Sequence, residues 1–105
     1  MNKQLKSKWV KALRSGKYRQ GLGTLKQRND TSHRPEYCCL GVLRELMPVE
    51  YQGLSSTANG GGGTLRKSQL RLADISYKVQ NKLVNMNDGF HNSFTEIADY
   101  IEQKL

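Results

Sequence analysis

The densest concentration of chemically useful residues is Arg14-Ser15-Gly16-Lys17-Tyr18-Arg19-Gln20-Gly21-Leu22-Gly23, which puts three glycines, three cations and a tyrosine into ten positions. Glycines let backbone N–H groups approach an anion, Arg and Lys supply charge, and a tyrosine ring can stack on a base. The segment matches neither the P-loop spacing nor the dinucleotide fingerprint, so the chemistry it suggests is anion binding without either motif. The competing reading is a plain turn with solubilising cations. A second polar group, Asn87, Asp88, His91 and Asn92, could hydrogen-bond a base or a ribose, although Asp88 between Asn87 and Gly89 also suits a turn. The candidate ligand-binding set is therefore Trp9, Arg14, Lys17, Tyr18, Arg19, Gln20, Asn87 and Asp88.

Other constellations are poorer. Cys38 and Cys39 are adjacent, a geometry unsuited to an intramolecular disulfide, and they read as reduced, core-facing thiols. With two histidines far away in sequence, they do not make a zinc pattern. No nucleophile–base pair stands out. His33 and His91 read as loop or turn residues, so the expectation is a protein with no catalytic residues, no metal and no cofactor.

Charge supports an anionic partner. The 105 residues carry 17 Lys and Arg against 9 Asp and Glu, a formal net charge of +8, with a pI near 9.7. Residues 1–36 hold ten cations against Asp30 and Glu36, so this third accounts for the whole net charge. A basic third attracts nucleotides, nucleic acid or an acidic partner. The balance excludes a DNA mimic. No run of about 20 apolar residues, as a membrane span needs, is present, and the start lacks a signal-peptide apolar region. The expected location is therefore an intracellular, reducing compartment.

These residues need elements to position them. Leu5, Trp9, Ala12 and Leu13 fall on one stripe of a helix over residues 4–15, closed by a left-handed glycine at Gly16. Leu22–Arg28 and Glu36–Leu40 read as a β-hairpin around the polar loop 29–35. From Cys39 helical spacing returns through Leu40, Leu43, Leu46 and Met47 until Pro48 stops it. Residues 49–64, with four consecutive glycines, read as a flexible loop. Leu72, Ile75, Val79, Leu83 and Met86 then predict one helix ending near Asn87-Asp88-Gly89, and the capping box Ser93-Phe94-Thr95-Glu96 opens a final helix. No repeat or heptad is visible. The fold class expected is α+β: one small domain spanning residues 1–105, with about four helices around a short antiparallel hairpin.

The last two helices superficially suit a helix-turn-helix. Their connection is too long, however, and residues 93–105 have a net charge of −2, which phosphate would repel. The basic N-terminal third is the better nucleic-acid candidate.

Three strings occur in order: Trp9-Val10-Lys11-Ala12-Leu13-Arg14-Ser15-Gly16-Lys17-Tyr18, Tyr37-Cys38-Cys39-Leu40-Gly41-Val42-Leu43, and Met86-Asn87-Asp88 with Ser93-Phe94-Thr95-Glu96-Ile97-Ala98-Asp99-Tyr100-Ile101-Glu102. Together they resemble a family of small uncharacterised proteins encoded by bacteriophages and prophages. Arg44 stands where that family often has a third cysteine. The resemblance implies expression in a host cytoplasm, and a role antagonising host defence. The expected function is sequestration of a phosphorylated nucleotide-type immune signal by a homo-oligomer, without catalysis. The alternative is a nucleic-acid-binding or host-protein-binding inhibitor of a defence complex, of anti-CRISPR or anti-restriction type.

Overall fold

The computed structural model describes residues 1–28, 35–52 and 64–105. The element order is α1 (Lys3–Arg14), β1 (Arg19–Gln20), β2 (Lys26–Arg28), β3 (Pro35–Tyr37), α2 (Cys39–Glu45), α3 (Val49–Gln52), α4 (Lys67–Ala73), α5 (Tyr77–Val84), a π-turn (Asn85–Gly89) and α6 (Phe94–Lys104). The architecture is α+β. The hairpin loop with His33 and Arg34, and the glycine run, lie outside the described residues.

Helix α1 begins at Asn2, whose side chain accepts from the N–H groups of Gln4 and Leu5, and ends at Gly16 with φ +78°, the conformation glycine adopts without steric cost. It buries Leu5, Trp9, Val10 and Leu13 and packs chiefly against α6. Helix α6 carries the expected capping box, Ser93 receiving from Glu96 N–H and Glu96 from Ser93 N–H, and buries Phe94, Ile97, Ala98 and Ile101. Helix α2 packs against α1 and α5, with Cys39 through Arg44 all buried. Trp9, Leu40, Leu43, Leu83, Ile97 and Ile101 form the centre of the core.

The sheet differs from the expected hairpin. Strands β2 and β3 pair antiparallel, Gln27 opposite Glu36, but β1 adds a parallel neighbour to β3 with Arg19 opposite Glu36 and Gln20 opposite Tyr37. The order is β1-β3-β2, a mixed sheet. The strands are also shorter than expected: β2 starts at Lys26, and β3 stops at Tyr37 because extended Cys38 starts α2. Residues 49–52, assigned to the loop by composition, form the short helix α3.

The helix expected from Leu72 to Met86 is two helices and a π-turn. Asp74 takes a left-handed conformation (φ 58°) and closes α4, while the Ser76 hydroxyl accepts from Val79 N–H and starts α5. The apolar residues keep helical spacing across the break because Leu72, Ile75, Val79 and Leu83 all still reach the same core. Spacing reports which residues are buried, and here it does so across two axes.

Candidate functional site

Left-handed Gly16 turns the chain out of α1 and into β1, and Lys17, Tyr18 and Arg19 follow at once. Tyr18 is half-buried and meets the Tyr37 ring edge-on, with centroids 5.2 Å apart and planes at 84°. Burial pushes its phenol above the ordinary tyrosine value, with Glu45 and Tyr37 acting the same way, so its hydroxyl stays protonated and able to donate at neutral pH. Lys17 and Arg19 are exposed, and Arg19 Nε lies 3.7 Å from Glu36 Oε2 across the β1–β3 pair. Gly16, Lys17, Tyr18 and Arg19, together with Pro35 and Tyr37, line a cleft of about 630 Å³. That volume falls within the range of about 300–1,000 Å³ found for small-molecule sites. A smaller hollow of about 340 Å³ continues beyond Lys17 and Tyr18 toward Lys8 and Lys11.

Sequence reading singled out Lys17, Tyr18 and Arg19 but missed Pro35 and Tyr37. The available signal was their i, i+2 spacing in a strand, which puts both on one face.

The other expected site residues have different placements. Gln20, Asn87 and Asp88 do come together, as a structural lock. Gln20 Nε2 donates to Asn87 Oδ1 (2.9 Å) and to the Asn92 carbonyl (2.8 Å). Asn87 Oδ1 also accepts from Cys39 N–H (3.3 Å), and its Nδ2 donates to the Gly21 carbonyl (2.9 Å) and to Asp88 Oδ1 (2.7 Å). Asp88 Oδ1 accepts in addition from Gly23 N–H (3.1 Å), where φ is +82°. Asn87 is wholly buried, so its hydrogen-bonding capacity is spent on the protein. The π-turn is what sets this up: its wide backbone aims two consecutive polar side chains back under β1. The lock holds β1, and therefore Arg19, in place. His91 lies outside it, exposed with φ 54°.

Trp9 and Arg14 are also away from the cleft. The Trp9 ring is entirely within the core and its Nε1–H donates to the Cys39 carbonyl at 2.9 Å, so no face is left for a base. Arg14 points to α6, where it meets Asp99 Oδ1 (2.6 Å) and Glu102 Oε2 (2.8 Å). These two carboxylates hold the guanidinium above its ordinary pKa. The acidic C-terminal helix thus neutralises the last turn of α1.

Both cysteines are buried and unpaired. Burial pushes the Cys38 thiol up to about 11, and fully enclosed Cys39 well above the usual value. Cys39 Sγ faces the Leu83 carbonyl at 3.7 Å. At pH 8 about one Cys38 in a thousand is thiolate. Ellman's reagent is therefore expected to leave the native protein unlabelled while titrating two thiols within seconds in urea; rapid labelling of a native thiol would contradict this burial.

Among the described residues, no group of three or more His, Cys, Asp and Glu side chains is placed to hold a metal, and no helix is long and apolar enough to cross a membrane. The buried Arg44 has an Nε with no hydrogen-bond partner among them. This site belongs to a small α+β protein whose exposed cations border an open polar cleft. The chain is a member of the DUF8296 family, a domain of unknown function whose model matches residues 1–57, the stretch from α1 through α3 that contains the cleft. No curated protein and no solved structure matches it.

Proposed function

We propose that the chain binds a phosphorylated nucleotide-type ligand, unchanged, in the cleft between Gly16–Arg19 and β3. The observation that carries this reading is the convergence of two exposed cations and a hydroxyl-bearing aromatic on a cavity of nucleotide size. Lys17 and Arg19 meet the phosphates, with the planar guanidinium suited to two oxygens at once. The half-buried Tyr18 ring, held edge-on against buried Tyr37, offers an apolar surface to a base. Glu36 is the only carboxylate within ion-pair distance of Arg19 among the described residues, and a phosphate would compete with it for the guanidinium. In biological terms, this is a phage-encoded accessory protein of the host cytoplasm that withdraws a nucleotide immune signal. A second copy of the chain closes the open side of the cleft.

The test is native mass spectrometry and calorimetry with a nucleotide pool that includes cyclic dinucleotides and ADP-ribose derivatives. One ligand is expected to be retained at its unmodified mass on a defined oligomer. Lys17→Ala with Arg19→Ala should weaken it at least about a hundredfold, since each charged hydrogen bond contributes about 1.5–3 kcal/mol, while thermal unfolding stays put. A ligand recovered with altered mass would overturn binding without chemistry. Unchanged affinity in the double variant would remove the cleft.

A further inference from the structure

The cleft accounts for Lys17 and Arg19 and leaves most of the positive charge of α1 unexplained. Helix α1 contains Lys3, Lys6, Lys8, Lys11 and Arg14 and no acidic residue, and the first acid of the chain is Asp30. Lys3, Lys6 and Lys11 line a separate open groove of about 630 Å³ between α1 and the C-terminal end of α6. The one acid lining that groove is Glu102, and Arg14 engages it together with Asp99. Arg14 therefore consumes the local negative charge. Lys3, Lys6 and Lys11 are left with no ion pair among the described residues.

We propose that this groove is a docking surface for the sugar–phosphate backbone of duplex nucleic acid. At 1.5 Å per residue the three lysines extend over about 12 Å, the axial length of three to four phosphates on one strand. The hydroxyl of Ser7, between Lys6 and Lys11 on the same wall, can donate to phosphate oxygens, as serine commonly does at such interfaces. No aromatic side chain lines the groove. Single-stranded binding sites rely on base stacking against aromatic rings, so the chemistry fits a backbone whose bases are already stacked. Contact is with phosphate alone, and binding does not depend on base sequence. This surface shares no residue with the nucleotide cleft itself, meets the smaller hollow beyond that cleft only at Lys11 and Ser15, and does not rest on the nucleotide reading.

The experiment is fluorescence anisotropy of the full chain with a labelled 20-base-pair duplex between 50 and 200 mM KCl. Three lysine–phosphate contacts give a log–log salt slope near −2.7, about a 40-fold loss of affinity over that range. Lys3→Gln, Lys6→Gln and Lys11→Gln together should remove most of that slope, and the corresponding triple Lys→Arg variant should restore it. Lys78→Gln with Lys82→Gln, on the exposed face of α5, should leave it unchanged. A slope flatter than about −1 in the unmodified protein overturns the proposal without any variant. So does a triple glutamine variant that keeps its slope, a single strand that binds more tightly than the duplex, or polyglutamate that competes as well as unlabelled duplex.

Discussion

Gly41→Ala is expected to abolish the folded state. Gly41 lies in the first turn of α2, and a methyl group there would overlap the Leu25 carbonyl oxygen and lie 2.6 Å from its carbon. Both obstacles are backbone, so no rotamer change relieves them. Leu25 cannot retreat easily: its side chain is in the core, and the next residue begins β2, which is paired with β3. Helix α2 cannot retreat either, because it carries fully buried Leu40, Val42 and Leu43. Ordinary over-packing of a core costs about 1–3 kcal/mol by forcing side chains aside. Here two backbones must separate, at a cost comparable with the whole stability of about 5–15 kcal/mol that small domains possess. Urea titration followed by circular dichroism should show no cooperative transition for the variant; a midpoint close to that of the unmodified protein would mean that α2 does not pack on Leu25.

Gly41 also shows what the sequence hides. Nothing around Tyr37-Cys38-Cys39-Leu40-Gly41 announces that a loop from elsewhere lies against this glycine, since the contact is non-local. What could be read were features set by neighbours in the chain. The stripe of α1, the left-handed Gly16 and the Ser93–Glu96 capping box each follow from residues within four positions of one another, whereas α2 ends at Glu45, before the stop expected at Pro48. The parallel pairing of β1 with β3 was invisible because a two-residue strand has no periodicity to detect, and β1 is tied down by the Gln20–Asn87 bond across 67 positions. The break at Asp74 was masked by apolar spacing that fits one helix as well as two. At the site, the basic glycine-rich segment was legible from composition. Separating cations that face the cleft from those facing α6 required knowing that Asp99 and Glu102 lie beside Arg14.

Trp9 shows the same ambiguity in a single side chain. It sits on the apolar stripe, and tryptophan also suits base stacking. Complete burial and the bond to the Cys39 carbonyl assign it to the core. For the remaining polar candidates the distinction between lock and ligand contact can be made by experiment, because the two roles differ in what is lost.

Asn87→Ala is expected to cost about 3 kcal/mol, and to lower the melting temperature by more than about 10 °C, as buried partners lose their hydrogen bonds. Gln20 keeps Asn92, but Cys39 N–H and the Gly21 carbonyl lose the bonds Asn87 supplied. Asn87→Asp separates the roles further. It preserves shape and acceptor while removing the donor to Gly21 and setting a buried carboxyl against half-buried Asp88. Burial and like charge raise the folded-state pKa of that new carboxyl above its unfolded value. Its protonated form is therefore tolerated below the unfolded pKa, and stability falls as pH rises through the folded one. Calorimetric unfolding of Asn87→Asp should show a deficit relative to the unmodified protein that is smaller at pH 4 than at pH 8. If Asn87 served a ligand instead, both variants would melt like the unmodified protein and lose only binding. A normal melting temperature for Asn87→Ala would overturn the lock and restore Asn87 and Gln20 as candidate ligand contacts.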